Sequence, residues 1–187
     1  MGKQATVLEI DWQVWIAERA HDATAAEQGR QVRSLARTHG WPVLCCRYLS
    51  ADLSDRARAD PNSPAAAFLA GLGPGPDDAV ITKHGRDAFD VPDLPNLLGR
   101  LNTGRLVLTG LMTEHGVALA ARSAAARGWA VTVVADACAA TSSAAHEKAL
   151  ADLREAGVEV VTAADLPASI ASAEPAALIA GADRAAS

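Results

Sequence analysis

Apolar residues along the chain come in short bursts, separated by stretches where they recur at helical spacing. The bursts read as strands at 6–10, 42–47, 79–82, 105–109, 130–135 and 158–162. The amphipathic stretches between them read as helices at 24–39, 93–101, 113–127 and 143–156, with a last one from 164 onward. A strand that is apolar along its whole length is covered on both faces, and alternation with helices builds parallel βαβ units. The pattern therefore predicts an α/β fold, a three-layer α/β/α sandwich around a mostly parallel six-stranded sheet. Gly40, Gly128 and Gly157 each stand just before a predicted strand, the usual place for a glycine that ends a helix.

The segment 50–77 breaks the rhythm. It is rich in Asp, Pro and Gly, with one short apolar stretch at 65–70 that reads as a helix. A connection this long is either a lid over the strand ends or a plain surface excursion. The Ala-rich tail, 168–187, reads as a packed helix or a frayed terminus. No internal repeat is visible, and 187 residues suit one domain spanning 1–187.

Composition narrows the function classes. Half of the residues are hydrophobic and the formal net charge is -5. A mildly acidic chain has no electrostatic reason to hold nucleic acid or an anionic membrane. No apolar run approaches the roughly 20 residues that span a bilayer. The first residues enter a strand pattern at once, which leaves no room for a signal peptide, so a cytoplasmic location is expected. Cys45, Cys46 and Cys138 lack metal-ligand spacing and read as reduced thiols, at least some of them buried. No metal and no cofactor are expected.

In a parallel α/β sheet, ligands bind beyond the carboxyl ends of the strands. The residues that follow the strands are therefore the ones to weigh: Asp11 and Gln13 after the first, Arg47 and Tyr48 at the end of the second, Lys83 after the third, and the turn 110–116 after the fourth. Alone, an acid at a strand end serves as well to cap a turn, and a lone lysine is usually solvated. Together, a carboxylate and an ammonium on one sheet edge tune each other for proton transfer. Thr113 can cap the helix after Gly110, and Gly116 lies in its first turn, where free amides suit an oxyanion. His115 is a candidate pocket residue, His84 lines the pocket or the surface, and His146 reads as surface.

The ordered set VLEIDWQ, ITKHGRDAF, VLTGLMTEHGV, ARSAAARGWAVTVVADACAATS and HEKALADLREAGVEVVTAADL resembles the isochorismatase-like, or cysteine hydrolase, superfamily from about residue 6 to 166. The resemblance implies Asp11 as acid/base, Lys83 as its electrostatic partner, and Gly116 at the position of the nucleophile. It also implies a cis peptide bond at Leu111–Met112, which aims a backbone N–H into the pocket, and a dimer or tetramer. Two departures stand out. No thiol occupies the nucleophile position, so a thioester route has no evident nucleophile. The stretch 45–60, at and after the second strand where one branch of the family holds a metal, contains no histidine.

Some isochorismatases resemble this chain at Gly116 and hydrolyse a vinyl ether without a thiol. The resemblance thus implies a thiol-independent hydrolase acting on a small carboxylated molecule, with Asp11 as general acid. Gln13, Arg47, Tyr48, Met112 and His115 are its candidate substrate-binding residues. Two alternatives stay open: a catalytically inactive relative that binds a ligand or protein partner, and an amidohydrolase using water activated by Asp11.

Overall fold

The computed structural model describes residues 3–173. Six parallel strands form one sheet: β1 (Gln4–Ile10), β2 (Val43–Tyr48), β3 (Ala79–Lys83), β4 (Thr103–Leu111), β5 (Ala130–Ala139) and β6 (Glu159–Val161). The helices, in chain order, are α1 (Val14–Ala17), α2 (Ala25–His39), α3 (Arg56–Ala59), α4 (Asp93–Arg100), α5 (Ala118–Ala126), α6 (Ser143–Glu155) and α7 (Leu166–Ala173). The part of the predicted tail beyond Ala173 lies outside the described residues.

Alternate residues of the strands build two cores, because successive side chains point to opposite faces. Leu8, Ile10, Leu44, Cys46, Leu106 and Leu108 pack against α4, α5 and α6. Val7, Val43, Cys45 and Val107 pack against α2 and α7. The result is the three-layer sandwich expected from continuous apolar strands.

The strand order is β3-β2-β1-β4-β5-β6. The chain therefore runs outward from β1 to β3, then returns to the other flank of β1 with β4. This reversal opens a crevice at the carboxyl ends of β1 and β4, the place where such sheets take ligands. Here β4 comes unusually close to β1. A Cβ on Gly110, whose φ is 132°, would sit 2.0 Å from the Ile10 carbonyl oxygen, so only glycine fits.

Three elements differ from the sequence reading. β5 runs on to Ala139, because a register shift between Leu108 and Gly110 lets it keep pairing with β4. Asp136, within the added stretch of strand, accepts a hydrogen bond from the Ala163 amide at 2.8 Å. Residues 65–70 form no helix. Their backbone bonds run sideways to the segment after β1, with Val14 donating to Ala67 at 2.9 Å and Leu69 donating to Trp12 at 2.8 Å. The short helix of this region is α3 instead. Finally, the stretch predicted as one helix from Thr113 opens with a π-helical turn, Thr113–Val117, before α5 begins.

The far half of the 50–77 excursion is pinned to α2. Arg30 donates to the Ala70 carbonyl at 2.9 Å, and Arg37 pairs with Asp78 at 2.6 Å. Arg33 reaches the Gly73 carbonyl and also pairs with Glu9, a buried β1 carboxylate, through its Nε at 2.9 Å. Burial pushes the Glu9 carboxyl up against the pull of Arg33. Its stability contribution is thus full below its ordinary value of 4.5 and is lost as pH rises through the higher folded value. Arg33→Ala strands Glu9 without its counter-ion. The expected cost is about 3–5 kcal/mol at pH 8, shrinking toward acid pH as Glu9 takes up a proton. Urea unfolding at both pH values checks this; an unchanged midpoint would contradict it.

Candidate active site

Asp11 is the first residue past β1 and carries the sheet one step further, its amide donating to the Cys46 carbonyl at 2.9 Å. Its φ of 53° is left-handed, a region that Asp tolerates better than most residues. The turn directs its carboxylate toward Lys83 at the end of β3, and Lys83 Nζ lies 2.7 Å from Asp11 Oδ2. Both residues are buried, at 5% and 3% exposure. Lys83 also donates to the Gly85 carbonyl at 3.3 Å. The other carboxylate oxygen, Asp11 Oδ1, is buried without a hydrogen-bond partner. Burial raises the Asp11 pKa to about 6, with Lys83 pulling the other way.

The third side of the site is the turn after β4. The Leu111–Met112 peptide bond is cis, as the sequence resemblance implied. Next comes the π turn, in which Val117 reaches back five residues to donate to the Met112 carbonyl at 3.3 Å. Widened turns of this kind often accompany functional sites. Gly116 brings the backbone against the acid: a Cβ there would lie 3.3 Å from Asp11 Oδ2 and 3.0 Å from Ile10 Cγ2. Its φ is outside the left-handed region, so a side chain is sterically the only question.

Neighbours hold the turn in place. Thr113 Oγ1 and His146 Nδ1 share a hydrogen bond of 2.8 Å, and the His146 ring lies 5.3 Å from that of His21. His146 is therefore half-buried packing and not the surface residue expected. Burial, then the nearby His21, lowers its pKa. Glu114 accepts from the Thr141 amide at 3.0 Å and its hydroxyl at 2.6 Å. Burial pushes the Glu114 carboxyl up, but these Thr141 bonds hold it below its ordinary value.

Asp11, Lys83, Tyr48, Met112, His115 and Gly116 all line one cavity of about 340 Å³. Two expected ligand residues do not. Gln13 is fully buried and holds the backbone instead: its Nε2 donates to Tyr48 O and Ala66 O at 3.0 Å, and its Oε1 accepts from the Tyr48 amide at 2.7 Å. Arg47 points to the opposite face of β2 from Tyr48, as strand alternation requires, and its Nε donates to Thr82 at 3.0 Å. His84 also stays off the cavity, its Nδ1 bonded to the Leu49 carbonyl at 2.9 Å.

Sequence reasoning missed Trp15, Arg19, Arg58 and Arg86, which line the same cavity. Trp15 and Arg19 stand four apart just after a strand end, a helical spacing that was legible. Nothing in the sequence placed Arg58 or Arg86 here. None of the three cysteines lines the cavity. All are buried. Burial pushes the Cys45 and Cys138 thiols up to about 12, and Cys46 well above its ordinary value. Among the described residues no cluster of His, Cys, Asp or Glu is suited to a metal ion, and no helix is long and apolar enough to cross a membrane.

The molecule is thus a doubly wound α/β domain with a buried Asp-Lys pair at the crevice of its parallel sheet. The family model described as Isochorismatase domain matches residues 5–165, and the chain belongs to that family. It is similar to the uncharacterized isochorismatase family protein YecD of Escherichia coli O157:H7, at 31% identity over 163 residues, covering 80% of this chain and 87% of that protein. An isochorismatase family protein from Desulfovibrio vulgaris has a similar solved structure, with TM-score 0.81, 25% identity, and coverage of 91% of this chain and 100% of the other. A second, from Burkholderia thailandensis, has TM-score 0.76 at 28% identity, covering 88% and 94%.

The geometry at Gly116 makes a direct test. Gly116→Cys would put a thiol beside Asp11, near Lys83 and at a helical N-terminus, where thiolate is favoured. Iodoacetamide at neutral pH is expected to label the introduced thiol well before Cys45, Cys46 or Cys138, as peptide mass spectrometry would show. Equal labelling of a native cysteine would mean that the cavity does not activate a thiol there.

Proposed function

We propose that the chain is a hydrolase that works without a thiol, on a small carboxylated molecule, with Asp11 as the proton donor. One observation carries this reading. Asp11 holds one oxygen on Lys83 and keeps the other buried and unpartnered, in a cavity that no cysteine lines. A carboxyl group whose pKa stands at about 6 holds a proton near neutrality far more often than an ordinary aspartate does.

Vinyl-ether hydrolysis fits this equipment. The Asp11 proton goes to the terminal vinyl carbon, and the C=C π pair forms the new C–H bond. The ether oxygen shares its lone pair with the adjacent carbon, giving an oxocarbenium ion. Water adds to that carbon and returns a proton to the Asp11 carboxylate. The resulting hemiketal passes its hydroxyl proton to the ether oxygen as the C–O bond breaks, which releases the alcohol and leaves a ketone. Lys83 holds the carboxylate of Asp11 between proton transfers, and Gly116 leaves the room a side chain would fill. The sequence resemblance supports this reading, since it sets Asp11 and Lys83 against the first two members of the family's Asp-Lys-Cys set and Gly116 against the third.

The experiment is hydrolysis of isochorismate, followed as released pyruvate with lactate dehydrogenase. The acid form of Asp11 is the working form, so kcat should hold below about pH 6 and fall as pH rises through that value. Asp11→Asn should lose at least about a hundredfold in kcat with the fold intact. Complete alkylation of accessible thiols should leave the wild-type rate unchanged. Near wild-type turnover by Asp11→Asn would remove Asp11 from the mechanism.

A further inference from the structure

The cavity carries more positive charge than its chemistry uses. Lys83 is committed to Asp11 at 2.7 Å, which leaves the floor close to neutral when Asp11 is ionised. At the mouth stand three exposed arginines, Arg19, Arg58 and Arg86. Two of them converge on one ring: the guanidinium carbons of Arg19 and Arg58 each lie 5.3 Å from the Trp15 ring centroid. They arrive from different elements, Arg19 just after α1 and Arg58 on α3 within the 50–77 excursion.

Both are oriented from behind. Arg19 Nη1 donates to the Trp15 carbonyl, and Arg58 Nη2 pairs with Asp55. A guanidinium has five N–H donors, so each keeps donors to spare. Arg86 has no ion pair among the described residues. Trp15 adds a buried Nε1–H without a partner. It also packs against Tyr48, ring centroids 5.8 Å apart at 57°, which gives the cavity an aromatic wall. Two like charges drawn to a single indole, beside an unspent N–H, suit a planar anion that both can grip.

Resting on the reading of this cavity as a hydrolase site, we infer that Arg19 and Arg58, clasping Trp15, form an anion subsite at its mouth. The subsite holds the carboxylate or phosphate of a flat, unsaturated substrate whose body runs from the mouth past the Trp15–Tyr48 wall toward Asp11. The substrate's anion is thus recognised at the mouth, and Lys83 is left to Asp11. The 50–77 excursion is then a specificity element, because it delivers Arg58.

Binding tests this without turnover. Benzoate, phenyl phosphate and the neutral isostere benzamide are titrated into the wild type, with the Trp15 indole N–H and the Arg Nε–H resonances followed by NMR. The expected result is that at least one anion shifts these resonances and binds about tenfold or more tightly than benzamide. Whichever anion binds better identifies the source of the charge as carboxylate or phosphate. Arg19→Gln and Arg58→Gln should each weaken that anion about tenfold and leave benzamide unchanged. Arg19→Lys and Arg58→Lys, which keep charge without the planar fork, should recover only part. Equal binding of benzamide and both anions, undiminished anion binding in both Gln variants, or no binding of any probe would each overturn the inference. Repeating the titration on Asp11→Asn keeps the two readings apart. Unchanged anion preference with full turnover by Asp11→Asn sinks the proton-donor role alone. Asp11-dependent hydrolysis with no arginine effect sinks the subsite alone.

Discussion

Everything at this site depends on one ion pair taken out of water. Desolvating a carboxylate and an ammonium costs several kcal/mol each, and their attraction offsets this only with good geometry. The Asp11–Lys83 pair has good distance but leaves Asp11 Oδ1 unsatisfied. A stability role alone would favour closing that oxygen off with a donor, or replacing the pair with apolar side chains. The strand topology imposes the opposite. β1 and β3 flank β2, so the residue after one strand and the end of the other share the carboxyl edge. Meanwhile, Gly110 lets β4 crowd β1 and bring the π turn up to the acid.

The rest of the molecule serves to keep that arrangement rigid. Gln13 spends its side chain amide on the backbone of Tyr48 and Ala66, tying the β2 end and the excursion to the turn that carries Asp11. Thr113, Glu114, His146 and Thr141 fasten the π turn to α6 and to the end of β5. Arg33, Arg37 and Arg30 hold the far half of the excursion, while its near half, with Leu53 at 81% exposure, lies more open to solvent. A fixed floor beneath a less constrained rim suits the proposed role of the pocket.

The architecture was legible because fully buried parallel strands leave continuous apolar bursts, and helix ends leave glycines with positive φ, such as Gly40 at 66°. Asp11, Lys83 and the 110–116 turn were legible because they sit at strand ends. Arg47 and Gln13 show where that logic fails. A position in sequence gives the sheet edge, but strand alternation sends Arg47 to the other face, and a buried amide such as Gln13 has backbone partners that only the fold reveals. Arg58 and Arg86 were out of reach, since Arg58 lies on a single helical turn and Arg86 in a bend after β3, both too short to leave a periodic pattern. Residues 65–70 depart from the helix their pattern predicts because an apolar Ala-rich run satisfies its backbone equally well by pairing sideways with residues 12–15.

The account stands or falls on whether the Asp11 carboxyl can hold a proton beside Lys83. A pH titration of 13C-carboxyl-labelled aspartate by NMR, with the Asp11 resonance assigned by its loss in Asp11→Asn, measures this directly. The expected midpoint is about 6. A midpoint at or below the ordinary 3.8 would mean that Lys83 outweighs burial. Asp11 would then be a fixed anion, and the proton for any hydrolysis would have to come from another group.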